Sequence, residues 1–102
     1  MPPSSEAWVV INSGAVSSSF KDLLRRAFQI GLGDKVVSAA KIIMQRLTND
    51  PLVFGEPLYH LRRLGLEVRT GGEPPLMVTY GVHKDRHLVY VSSIRPSSES
   101  GI

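Results

Sequence analysis

The sequence predicts an α+β domain: an N-terminal strand, an α-helical hairpin, then a three-stranded antiparallel meander, with the strands in one sheet. Three observations carry this expectation. Apolar residues recur at helical spacing on both sides of a Gly31-Leu32-Gly33-Asp34 break. Three short strand-like runs follow at 66–70, 76–82 and 88–94. The polar links between those runs, Gly71-Gly72-Glu73-Pro74-Pro75 and Lys84-Asp85-Arg86-His87, are too short for anything but antiparallel neighbours.

The elements follow in order. Trp8-Val9-Val10-Ile11 is aromatic and β-branched, which favours a strand, and Asn12-Ser13-Gly14 breaks it. Ser17-Ser18-Ser19 offers N-cap residues just before a helical pattern. Phe20, Leu23, Leu24, Ala27 and Phe28 then recur at i, i+3, i+4, i+7 and i+8, with Lys21, Asp22, Arg25 and Arg26 on the other face. Gly31 supplies a C-cap glycine and Asp34 an N-cap for a second, antiparallel helix carrying Val36, Ala40, Ile43, Met44 and Leu47. Asn49-Asp50-Pro51 stops that helix, because the residue before a proline is pushed out of the α region. Phe54-Gly55-Glu56-Pro57-Leu58 reads as a connector. The stripe Phe20, Leu24, Phe28 with Ile43, Met44 and Leu47 reads as core, covered by the meander.

With 102 residues the chain reads as one small domain, with 1–6 and 96–102 as disordered tails. There is no cysteine, which excludes a disulfide framework, a thiolate zinc site and a cysteine nucleophile. No apolar run approaches the roughly 20 residues of a membrane span, and the first six residues lack a signal pattern, so a soluble, cytoplasmic protein is expected. A net charge of +3 permits an anionic partner without demanding one. No cofactor or metal is expected: His83 and His87 are four apart but flank a turn rather than sit on a helix.

The element order, the Asn49-Asp50-Pro51 stop, Gly55-Glu56-Pro57-Leu58 before the sheet and the strand Met77-Val78-Thr79-Tyr80 together resemble the RelE/ParE toxin superfamily, the toxin fold of type II toxin–antitoxin systems. The resemblance spans about Trp8 to Ile94. It implies a toxin component acting on translation or mRNA, with a cognate antitoxin as partner and the ribosome, mRNA or DNA gyrase as target. RelE-like members cleave mRNA without a metal, using cations for the phosphate and side chains that move protons. Carried onto this chain, that chemistry falls to Arg69, Arg95 and Tyr80, with Arg62, Arg63, Lys84 and Arg86 as nucleic-acid contacts. Tyr59 and Tyr90, and His60, His83 and His87, are the remaining phenols and imidazoles beside the sheet.

This chain departs from the family pattern in several places. Met77 stands where an arginine opens the strand, Glu67 occupies a usually basic position, and Arg95 comes about two positions early with no tyrosine after it. Tyr80 read as a residue alone is a core or sheet-face aromatic with a tethered hydroxyl. Two further functions stay open: gyrase inhibition of the ParE kind without ribonuclease activity, and a non-toxic interaction module retaining the fold.

Overall fold

In the computed structural model, which describes residues 7–102, five strands form one sheet in the order β1-β5-β4-β3-β2. The elements are β1 (Val9–Asn12), α1 (Gly14–Gln29), α2 (Gly33–Asn49), the single-turn α3 (Pro51–Phe54), β2 (Glu56–Leu61), β3 (Leu66–Glu73), β4 (Leu76–His83) and β5 (Leu88–Pro96). A 3₁₀ turn at Arg62–Leu64 joins β2 to β3. β3, β4 and β5 form the expected antiparallel meander, and β1 pairs with β5 in parallel. The expected tail at 1–6 lies outside the described residues. No described helix is long and apolar enough to cross a membrane.

Helix α1 starts earlier than the serine run suggested. Ser13 is the N-cap: its side chain accepts a hydrogen bond from the Val16 N–H at 3.1 Å, which satisfies one of the orphan donors of the first turn. The end of α1 follows the expected glycine logic. Gly31 lies at φ +79°, and the Leu32 N–H reaches back to the Ala27 carbonyl at 2.7 Å. Leu32, not Asp34, is the N-cap of α2 and makes no side-chain cap bond; Asp34 sits inside the first turn, where its charge favours the positive end of the helix dipole.

Alternation along the strands sorts the sheet into two faces. Leu76, Val78, Tyr80 and Val82 of β4 and Val89 and Val91 of β5 pack against Val16, Leu23 and Ala27 of α1 and Val36, Ala39, Ile43 and Leu47 of α2. Phe20 and Leu24 are partly buried against this core. Two members of the expected core stripe are not in it: Phe28 is 55% exposed and Met44 41%. Phe28 instead lays its ring over Gly33, where a Cβ would collide with it.

The larger departure is β2. The expected connector at 54–58 contains the start of a six-residue edge strand, antiparallel to β3 and exposed along its whole length. The pairing register shifts between Pro57 and Tyr59, leaving Leu58 as the extra residue. Pro57 fits an edge, since it has no N–H to offer a further strand. The C-terminal segment also differs from the expected disordered tail: Ser97 N–H bonds the Pro75 carbonyl at 2.8 Å, and Ile102 packs against the core.

The capping geometry makes a discriminating prediction. Ser13→Ala lowers stability by about 1 kcal/mol in denaturant titration, whereas Ser18→Ala, on the exposed face of the same helix, leaves it almost unchanged.

Candidate functional site

Two of the expected catalytic residues come together, but in the interior. Arg69 of β3 and Tyr80 of β4 are direct register partners on the helix-covered face. Tyr80 is fully buried; its hydroxyl donates to the Pro51 carbonyl at 2.7 Å and accepts from the Gly55 N–H at 3.0 Å. Arg69 donates from Nη2 to the Gly55 carbonyl and from Nη1 to Glu67, and its Nε is buried without a partner. Gly55 is required by space: a Cβ there would lie 2.5 Å from the Thr70 carbonyl oxygen and 2.7 Å from the Tyr80 hydroxyl. Phe54 stacks on Tyr80 at 6.1 Å between centroids and lies over Gly71, while Arg46 sits 5.1 Å above the Phe54 ring and pairs with Asp50 at 2.9 Å.

Arg95 is elsewhere. It pairs in register with Met77, three residues from Tyr80 along β4, and so projects from the opposite, open face of the sheet. The sheet itself therefore separates Arg95 from Arg69 and Tyr80. Tyr59 and Tyr90 also lie on the open face, in a row that runs Ile11, Tyr90, Gly81, Val68, Tyr59 across the five strands.

The four expected nucleic-acid contacts are gathered at one end. Leu61, Leu66, His83, Leu88 and Val9 lie in one cross-strand row, so the β2–β3 and β4–β5 connections leave the sheet on the same side. Arg62 and Arg63 occupy the first connection, Lys84 and Arg86 the second. His83 accepts the Arg86 N–H on Nδ1 at 3.3 Å. His87 has a left-handed backbone, φ +58°, and stacks on Trp8 with 3.7 Å between ring centroids. Among the described residues no group of three or more His, Cys, Asp or Glu is arranged to hold a metal.

Glu67 organises the charge at this end. One carboxylate oxygen takes Arg69; the other lies 3.3 Å from His60 Nε2 and 3.6 Å from Lys84 Nζ. The Arg69 hydrogen bond holds the Glu67 carboxyl below its ordinary value, against the opposing cost of burial, and Lys84 and His60 add to that effect. Burial disfavours the charged form of Arg69, but its interactions with Glu67 and Tyr80 outweigh this and raise it. Burial likewise pushes the Tyr80 phenol up, with Arg69 opposing, so its proton is firmly held. A cavity of about 250 Å³ opens beside the carboxylate, lined by His60, Arg62, Gly65, Leu66, Glu67, Val82, Lys84 and Asp85.

The His60–Glu67 pairing has no counterpart among the expected site residues. Its signal lies in the register, since residues 60 and 67 face each other only once 56–61 is a strand.

No protein-family model and no curated protein matches the chain. Among solved structures, one chain in the crystal structure of the toxin–antitoxin complex RelBE2 from Mycobacterium tuberculosis is similar, with 14% sequence identity, a TM-score of 0.67, and coverage of 93% of this chain and 97% of that one. The likeness establishes a shared fold.

Two consequences are measurable. Tyr80→Phe removes both hydroxyl bonds and strands a buried N–H and carbonyl, so unfolding free energy falls by roughly 1–3 kcal/mol. Because folding depresses the Glu67 carboxyl, its contribution is fully present above the ordinary glutamate value and is lost as pH falls through the lower, folded value. Glu67→Gln therefore shows a smaller difference in stability between neutral pH and strongly acid pH than the parent chain, read by chemical denaturation at each pH.

Proposed function

We propose that the chain is the toxin-like member of a type II toxin–antitoxin pair, acting on translation or mRNA in the cytoplasm through the basic end of its sheet and silenced by a cognate antitoxin. The observation that carries this reading is the convergence of Arg62, Arg63, Lys84 and Arg86 on one end of a sheet. Cations clustered on one edge attract phosphate far better than the same number scattered over a surface. The fold shared with a chain of a toxin–antitoxin complex supports both the toxin-like role and the antitoxin partner.

The site is atypical in this reading. Arg69 and Tyr80 serve to hold the α3–β2 corner, and Arg95 faces away from them, so any RNA chemistry rests on other groups. The same placement favours a second reading, a ParE-like gyrase inhibitor that needs no ribonuclease residues.

Induced expression in a bacterial host with transcriptome-wide mapping of mRNA 5′ ends separates these readings. The expected result is growth arrest with new ends inside translated codons, relieved when Arg62 and Lys84 are both changed to alanine. Arrest without new ends favours gyrase inhibition. Normal growth overturns the toxin reading and leaves an interaction module with this fold.

A further inference from the structure

We infer that the cationic end of the sheet docks on an anionic lipid bilayer, with Leu61 and Leu64 entering the acyl boundary while the arginines between them hold the headgroups. The inference goes beyond the toxin reading and does not depend on it.

The apolar side chains at this end have no work inside the fold. The 3₁₀ turn Arg62–Leu64 buries no residue, and its Leu64 is 61% exposed. Leu61, just before the turn, is 40% exposed at the β2 edge of the first cross-strand row, and Val9 is 58% exposed at the β1 edge of the same row. Neighbouring strands lie about 4.8 Å apart, so these edges are roughly 20 Å from each other and the three residues frame the end of the sheet. A single exposed leucine needs no explanation, but several gathered on one rim make a contact surface. Tyr59 comes next behind Leu61 on the same face, at the level where amphipathic rings meet headgroups.

The charge around these residues is complementary to anionic headgroups. The two connections carry Arg62, Arg63, Lys84 and Arg86 against Asp85 alone, which sits between the last two and lines a cavity with Arg62 and Lys84. The Glu67 carboxylate beside them is balanced by Arg69 from the interior. Each such cation near an anionic bilayer strengthens binding about fivefold, and a polybasic patch joined to inserted apolar groups holds where either alone is marginal. Phosphate is common to a lipid headgroup and to RNA, so the leucines decide between them. Bases stack on aromatic faces, for which Leu61, Leu64 and Val9 are no platform, whereas the acyl boundary takes aliphatic side chains readily.

The test is flotation of the purified full chain with vesicles of phosphatidylcholine alone, or of phosphatidylcholine and phosphatidylglycerol in equal parts. The expected result is flotation with the anionic vesicles only, weakened by added salt. Leu61→Ser with Leu64→Ser lowers the affinity about tenfold or more, and Arg62→Gln with Arg63→Gln lowers it roughly 20-fold. Ile42→Ser, at an exposed apolar position beside Glu73 and Pro74 at the opposite end of β3, leaves it at the parental value. Circular dichroism shows the fold intact in each. Because the chain has no cysteine, Leu64→Cys carries a single environment-sensitive label. Its emission shifts to the blue on anionic vesicles and is quenched by lipids brominated in the acyl chain. Flotation with an unquenched label overturns insertion, as does a leucine pair that matters no more than Ile42. No flotation overturns the bilayer outright, and binding of a mixed-sequence RNA in its place assigns the cations to nucleic-acid phosphate.

Discussion

The hydroxyl of Tyr80 holds together two parts of the chain that the sequence separates by 25 residues or more. It accepts from the Gly55 N–H and donates to the Pro51 carbonyl, so both ends of α3 are pinned to the middle of β4. Arg69 takes the Gly55 carbonyl from the neighbouring strand, and the missing Cβ of Gly55 lets the backbone come this close. From that corner the chain enters β2 in one register only, and that register sets His60 opposite Glu67. A buried network of this kind has little latitude, because each partner left alone carries its full desolvation cost.

Electrostatics extends the same constraint outward. A buried guanidinium is tolerable only with its counter-charge in place, and Glu67 supplies it from two residues along the same face of β3. Having neutralised Arg69, the carboxylate still has an oxygen directed toward His60 and Lys84, where the interior network reaches solvent. The Glu67 carboxylate of β3 is thus the junction between the core and the cationic end of the sheet. Its like-signed neighbours stay close together because this charge sits among them.

Much of the architecture was legible because it is written in local periodicity. The i, i+3, i+4 pattern from Leu23 to Leu47 and the alternation in β4 depend only on near neighbours, and each matched its element. What escaped was non-local. Glu56–Leu61 has no buried face, so no alternation marks it, and it is a strand because β3 pairs with it. Phe28 keeps the helical spacing of a core residue but sits at the end of α1, where the chain turns at Gly31 and there is no sheet left to cover the ring. Ser13 caps the helix rather than Ser17, Ser18 or Ser19 because α1 gains another turn from Val16, which the core buries. For the candidate site, the positions of Arg62, Arg63, Lys84 and Arg86 followed from the order of strands. The facing of Arg69 against Arg95 needed the register, which composition does not encode.

β5 lies between β1 and β4, though among the described residues it is the last strand and β1 the first. During synthesis β1 has no partner until β5 arrives, and α1 and α2 have only part of their sheet to rest on. Val89 and Val91, which close the core, are among the last residues to be laid in. The domain therefore completes itself only after nearly all of it has left the tunnel, a long-range pairing of the kind that slows folding. The turn that carries Lys84 and Arg86 lies just before β5, so a nascent copy holds these cations before it has the sheet that aims them.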